Sequence, residues 1–364
     1  MKITVSKEAI LEGLQKVQSI VSTHTTLPIL SNVLFQVEKK KLFLSTTDLE
    51  VSVRTSVEAK ITSPGATTLP ARRMFSIFKE MPGSDIEIDV DEKNVAKIKS
   101  GSSNFKIIGI SEDEFPPIPK FQGEKSYTLE QGVFRTMLKN TSYAASSDET
   151  RYVLNGVLMS FKGDKLTVVA TDGRRLALVE QEVEFPKDSE AELIIPSKTV
   201  DELIKTLKAE GSIKIKATDN QVAFEFDNML IVSKLIEGTY PNFRQVIPTQ
   251  CEERVPAERE ALLTAISRAS LLSSDKSNSV KMKFLKNKIE IEAITPEVGE
   301  ARESIPVKYT GKEITIAFNP EFVMDPLRCM DGDEVYMELT DELSPGVFKC
   351  DVPFLYVLMP MRTN

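Results

Sequence analysis

Tryptophan is absent from this 364-residue chain, histidine occurs once, at His24, and the three cysteines, Cys251, Cys329 and Cys350, never form a CxxC pair. Histidine-based proton transfer and a histidine or cysteine metal cage therefore lose most of their raw material. Three thiols are an odd number, and the opening MKITVSKEAILEGLQKV interleaves charges with apolar residues, unlike a secretory leader, so a reducing cytoplasm is the expected setting. No apolar run approaches ~18 residues, which argues against a transmembrane helix and a membrane partner. No phosphate-binding P-loop, GxGxxG or GxSxG pattern occurs, so nucleotide binding and a nucleophile elbow have no support and no cofactor is expected. A basic excess is lacking as well. Lys plus Arg number 46 against 54 Asp plus Glu, for a net charge of -8, which taken alone argues against nucleic acid.

What is present is the composition of a folded chain, 41% apolar and 27% charged, long enough for two or three domains. A threefold repeat selects three. Ser31 to Glu50, SNVLFQVEKKKLFLSTTDLE, aligns without gaps on Asn155 to Arg174, NGVLMSFKGDKLTVVATDGR, and Val280 to Thr295, VKMKFLKNKIEIEAIT, repeats the pattern again. Each reads as two short strands joined by a charged hairpin turn. A helix precedes each pair. The first follows Ser6 as N-cap with Ile10, Leu11, Leu14 and Val17 on one face, the second follows Thr128 with Gln131 completing a capping box, and the third carries Leu262, Leu263 and Ile266. A second helix, opened by proline and closed by glycine, is expected within Pro70 to Gly83, Pro196 to Gly211 and Pro320 to Gly332. Alternating strands follow, IEIDV from Ile86, IKIKA from Ile213 and VYMEL from Val335, and the tails after Pro116 and Pro241 read as linkers. The expected architecture is α+β, with domains at 1–122, 123–247 and 248–364, each with two helices covering one face of an antiparallel sheet.

The three domains carry net charges of +1, -3 and -6, and many basic residues fall on the helices, so a positive helical face can coexist with acidic strands and loops. The one carboxylate cluster, Asp85, Glu87, Asp89, Asp91 and Glu92, reads first as the polar face of a strand and its turn; a divalent-cation site is the competing reading.

RYVLNGVLM, TDGRRLA and YPNFRQVIP in the middle domain, YVLMPMR near the C-terminus, TLPIL near Leu27 and PAR at Pro70 together make the whole chain resemble the bacterial sliding clamp, the beta subunit of the replicative DNA polymerase III. The resemblance implies a nonenzymatic processivity factor, a head-to-tail homodimeric ring of twelve helices lined by basic residues and surrounded by sheets. Geometry agrees that one chain is too few. Six helices about 9 Å apart enclose a circle roughly 17 Å across, too narrow for duplex DNA about 20 Å wide, whereas twelve give about 34 Å. The implied partners are sequence-independent duplex DNA, a second copy of the chain, the replicative polymerase, a clamp-loader ATPase and other peptide-motif proteins.

By the same resemblance, a peptide pocket has a deep part at Leu154, Thr171, Gly173, Arg174, Arg175, Leu176, Pro241, Val246, Val357 and Met359. A shallower part uses Arg151, Asn319, Phe322, Ser344, Pro360, Met361 and Arg362. DNA-facing candidates are Arg72, Arg73, Lys79, Lys139, Lys198, Lys205 and Arg268, joined by family position by His24, Arg151 and Tyr152. The ring interface is expected at Phe105, Leu271 and Leu272, with Arg73 and Lys106 meeting Glu297, Glu300 and Glu303. A three-repeat protein-binding scaffold that does not encircle DNA is the alternative.

Overall fold

Period-two burial decides the strands. In Asp85–Val90 the side chains of Ile86, Ile88 and Val90 are buried while Asp85, Glu87 and Asp89 face water, the same alternation read from the sequence. Helical periodicity does the same for α1 (Lys7–Val17), which buries Ile10, Leu14 and Val17 and starts at Ser6, whose Oγ accepts a hydrogen bond from the Ala9 N–H at 3.1 Å. The computed structural model describes residues 1–21, 26–38, 40–118, 121, 125–273, 278–296 and 298–362. Among them five further α-helices follow: α2 (Ala71–Glu80), α3 (Gln131–Lys139), α4 (Ser197–Thr206), α5 (Arg259–Ser270) and α6 (Pro320–Cys329). Helices α2, α4 and α6 begin at or just after the expected prolines and end three to five residues before Gly83, Gly211 and Gly332.

Two compact units result, residues 1–132 with 205–235 and residues 133–204 with 236–364. The first contains a five-stranded sheet in the order Ala59–Ser63, Lys2–Ser6, Asp85–Val90, Val95–Ser100, Ser103–Ile108. Its eight-stranded sheet runs Lys125–Glu130, Ser212–Ala217, Gln221–Phe226, Met229–Lys234, Val51–Val57, Lys41–Thr47, Asn32–Glu38, Ala66–Pro70. The second unit repeats the plan. Its eight-stranded sheet runs Ala191–Pro196, Gly156–Phe161, Lys165–Thr171, Arg175–Glu182, Phe354–Leu358, Gly346–Lys349, Glu334–Leu339, Glu253–Glu258, and a four-stranded sheet joins Gly299–Pro306, Lys288–Thr295, Val280–Leu285 and Ile314–Phe318.

Two expectations need correction. Sheets are not owned by single repeats: Met229–Lys234 of the middle repeat pairs with Val51–Val57 of the first, and Arg175–Glu182 pairs with Phe354–Leu358 of the third, with Ala177 opposite Tyr356. An edge strand with a buried face satisfies its open N–H and C=O groups by continuing the sheet into the next repeat. Nor does Thr128 cap α3. It lies within the strand Lys125–Glu130, and Gln131 is fully buried, its amide donating to the Ser212 carbonyl and Asp227 Oδ1 and accepting from the Lys208 N–H. The side chain joins strand ends rather than closing a capping box.

The NG of NGVLM also has a packing cause. A Cβ on Gly156 would lie 2.5 Å from the Ile195 carbonyl oxygen and 2.7 Å from Ile236 Cδ1. Gly156→Ala is expected to cost about 2 kcal/mol by overpacking, and so to lower the thermal midpoint by about 4–8 °C. Differential scanning fluorimetry checks this, and an unchanged midpoint would mean that the strand shifts freely.

Candidate functional site

The turn between the strands Lys165–Thr171 and Arg175–Glu182 builds one wall of a pocket. Asp172 Oδ1 accepts from the N–H groups of Arg174 at 2.8 Å and Arg175 at 3.0 Å, and the Thr171 hydroxyl donates to the Arg175 carbonyl at 2.6 Å. Gly173 takes φ +84°, a left-handed conformation that suits glycine. Antiparallel pairing sets Leu176 opposite Val357, and the Met359 N–H donates to the Arg174 carbonyl at 2.9 Å. Thr171, Gly173, Arg174, Arg175, Leu176, Val246, Val357 and Met359 together line a small cavity of about 70 Å³. These are eight of the ten residues expected for the deep part. Of the other two, Leu154 packs half-buried on the core formed by Leu158, Leu176, Tyr240 and Val357. Pro241 lines a neighbouring, more polar cavity of about 450 Å³ with Tyr240, Phe243 and Arg244. The segment after Pro241 is therefore no free tether. Phe243 and Ile247 dock on the same core and Val246, 52% exposed, reaches the pocket.

The shallow-part residues lie in the same unit. Asn319 caps α6 by accepting from the Glu321 N–H, the Met361 N–H donates to the Ala317 carbonyl, and the Ser344 N–H donates to Asp341. Pro360 is half-buried and Arg362 exposed. Phe322, on α6, stacks its ring 4.1 Å from the Arg175 guanidinium carbon. Arg151 donates to the Asp172 carbonyl at 3.1 Å, so it braces the pocket turn. Arg175 is the electrostatic centre. Only 9% exposed, it reaches Asp172 at 3.1 Å, Asp325 on α6, and the Tyr143 carbonyl. Burial acts to lower its pKa, but Tyr356 and Asp325 raise it on balance, and burial drives the Tyr143 and Tyr356 hydroxyls well above their ordinary range.

The basic residues expected to face DNA are exposed on their elements. Arg72, Arg73 and Lys79 stand on α2, Lys139 on α3, and Lys198 and Lys205 on α4, while Tyr152 is 59% exposed. Each of the six helices carries a basic residue in its last turn: Lys16, Lys79, Lys139, Lys205, Arg268 and Arg328. That placement also complements the helix dipole, so part of the pattern serves helix stability. Arg268 spends its guanidinium on Glu303 at 2.9 and 2.7 Å, and the bond holds the Glu303 carboxyl below the ordinary carboxylate range. Among the interface candidates, Phe105 and Lys106 lie exposed on Ser103–Ile108, and exposed Glu300 and half-buried Glu303 lie on Gly299–Pro306, each an outermost strand of its sheet. Leu271, 80% exposed, and Leu272 follow the end of α5. His24 and Glu297 lie outside the described residues. Asp85, Glu87 and Asp89 share the solvent face of one strand, Asp91 accepts from the N–H groups of Lys93 and Val95 in the turn, and among the described residues no group of acidic or thiol side chains has metal-binding geometry.

Three family profiles match in order: the N-terminal domain of the DNA polymerase III beta subunit over residues 1–119, its central domain over 128–242 and its C-terminal domain over 244–362. The chain belongs to the DNA polymerase III beta subunit family. The beta sliding clamp of Chlamydia pneumoniae is 36% identical, with both chains covered in full. Among solved structures, a Pseudomonas aeruginosa sliding clamp bound to griselimycin is 32% identical with a TM-score of 0.95, and one from Bacillus subtilis is 29% identical with a TM-score of 0.95, each with complete coverage of both chains. The three-domain α+β clamp fold is therefore that of this family. Sequence reasoning missed Asp172, Tyr143, Asp325 and Tyr356 around this cavity. Asp172 carried a local signal, the Thr-Asp-Gly turn pattern, and Tyr356 opens the YVLMPMR motif beside Val357; Tyr143 and Asp325 arrive from segments that gave none.

Proposed function

We propose that this beta-family chain works as a ring, a head-to-tail homodimer that encircles duplex DNA without sequence preference and tethers the replicative polymerase and other peptide-motif proteins through the pocket at Thr171, Leu176, Val246, Val357 and Met359. The observation that carries the reading is the match of all three beta-subunit domains in order over residues 1–362, with an apolar pocket lined by residues of TDGRRL, Val246, Val357 and Met359. Its domains are placed at 1–122, 123–247 and 248–364. Retention is topological and needs no bond chemistry, so the proposed role is nonenzymatic, cytoplasmic and dependent on a loader ATPase for opening. Arg72, Arg73, Lys79 and Lys139, which form no ion pair among the described residues, are the strongest candidates to meet phosphate, giving weak, salt-dependent contacts compatible with sliding. The ring interface is assigned to the two outermost strands, Ser103–Ile108 of one copy against Gly299–Pro306 of the other, with Leu271 and Leu272 beside them.

Sedimentation combined with DNA retention tests this. The expected result is a dimer at micromolar concentration that, once loaded, stays on nicked circular DNA and runs off linear ends. A monomer that leaves both substrates at the same rate would favour a protein-binding scaffold instead.

A further inference from the structure

Arg175 forms part of the wall of the deep cavity, yet its guanidinium is committed elsewhere. It engages Asp172 in its own turn, the Tyr143 carbonyl and Asp325 on α6, with its planar face against the Phe322 ring. A buried guanidinium must satisfy its donors within the protein, so these partners hold it in one orientation. Helix α6 is fixed at Phe322 in a second way. Pro326 has no N–H to offer the carbonyl four residues earlier, that of Phe322, and the Tyr356 hydroxyl donates to that oxygen at 2.7 Å instead. Tyr356 adjoins Val357, another wall residue of the deep cavity. Both connections from the deep cavity therefore converge on Phe322, which the peptide-site reading places in the shallow part.

We propose that Arg175 is a positioning residue that couples the two parts of the peptide site, so that the seating of Phe322 sets the affinity of an anchor that reaches only the deep cavity. The inference rests on the peptide-site reading above and deepens it. Stacking on Phe322 and pairing with Asp325 restrict the guanidinium to one geometry, and with it the wall the anchor meets. Displacing the ring removes one face of that clamp and lets the wall residue sample other rotamers, which the anchor must then pay to exclude. Lysine cannot replace the arrangement, because an ammonium has neither the flat face nor the fork that reaches Asp172 and Asp325 together.

The test uses the full chain and two probes: acetyl-Leu-Phe, restricted to the deep part, and a longer peptide carrying glutamine and leucine ahead of a terminal Leu-Phe. Surface plasmon resonance gives both affinities, and thermal unfolding checks each variant. Phe322→Leu, which keeps bulk and loses the ring face, should weaken acetyl-Leu-Phe about fivefold, within the usual range of coupling between sites. Phe322→Tyr should restore it to within about twofold of the unaltered chain, since the ring face returns. In an Arg175→Lys background, Phe322→Leu should produce no further loss for the short probe. A short-probe loss that is absent, or equally large in both backgrounds, would overturn the coupling, because a purely structural role makes the two substitutions additive. Should Arg175→Lys fail to fold, the Leu and Tyr variants of Phe322 decide the matter by themselves. If the unaltered chain binds the longer peptide but Phe322→Leu leaves acetyl-Leu-Phe untouched, the coupling falls and the pocket stands; if the unaltered chain binds neither probe, the pocket falls and the coupling with it.

Discussion

A chain ending at Leu358 is expected to form the dimer normally and to lose peptide binding by at least about 100-fold, or ~3 kcal/mol, the burial of one large apolar anchor. Of the residues removed, Met359 to Asn364, Met359 lines the deep cavity, and Pro360, Met361 and Arg362 belong to the proposed shallow part. Among the described residues of this tail, 359–362, the contribution to the fold is small. Met359 is 44% exposed, and the described part of the tail is tied by two backbone hydrogen bonds, from the Met359 N–H to Arg174 and from the Met361 N–H to Ala317. The strand that precedes it keeps its own pairing, with Leu358 opposite both Arg175 and Gly346. Calorimetry with the longer Leu-Phe peptide, alongside sedimentation, separates the two effects. Loss of the dimer together with binding would show that the tail is structural.

Leu271→Ala combined with Leu272→Ala is expected to yield folded monomers. Both side chains lie just past the C-terminus of α5, where Leu271 is 80% exposed, so truncation removes little from the core of its own chain. In a ring of two chains each interface occurs twice. A loss of about 2 kcal/mol per interface becomes about 4 kcal/mol for the ring, roughly 1,000-fold in its dissociation constant. Sedimentation at micromolar concentration should then show a single chain with an unchanged circular dichroism spectrum. A persistent dimer would place the interface elsewhere, and the Arg268–Glu303 pair beside these leucines would then serve the monomer alone.

The pocket illustrates how far residue patterns reach. Thr171, Asp172, Gly173 and Arg174 announce a turn by their chemistry, and eight of the residues named by resemblance line one cavity. Arg175 was legible as part of that wall but not as a buried cation held by Asp172, Asp325 and the Tyr143 carbonyl, because Asp325 stands 150 positions away and Tyr356, whose hydroxyl also acts on it, farther still. The basic residues were legible as a set on helices. Their individual states were not: Arg268 pairs with Glu303, and Arg135 donates to the Ile204 carbonyl at the end of α4.

What the amino-acid sequence determined by itself was local: three repeats, which segments alternate with period two, which repeat with period 3.6, and where prolines open helices. Those periodicities state which face of an element must be buried, because side-chain direction follows backbone geometry within a few residues. They carry no information about which strand edge meets which. Every strand offers the same N–H and C=O groups, so Val51–Val57 could end its sheet or accept Met229–Lys234, and only the assembled backbone decided the second. The same holds for Phe105 and Glu303, whose charge and apolarity are written in the sequence, while their position on outermost strands is a property of the tertiary structure. The -8 net charge follows this division: its size and the presence of basic residues on helices belong to the sequence, and which of those cations stay exposed and which pair, as Arg268 does with Glu303, belongs to the fold.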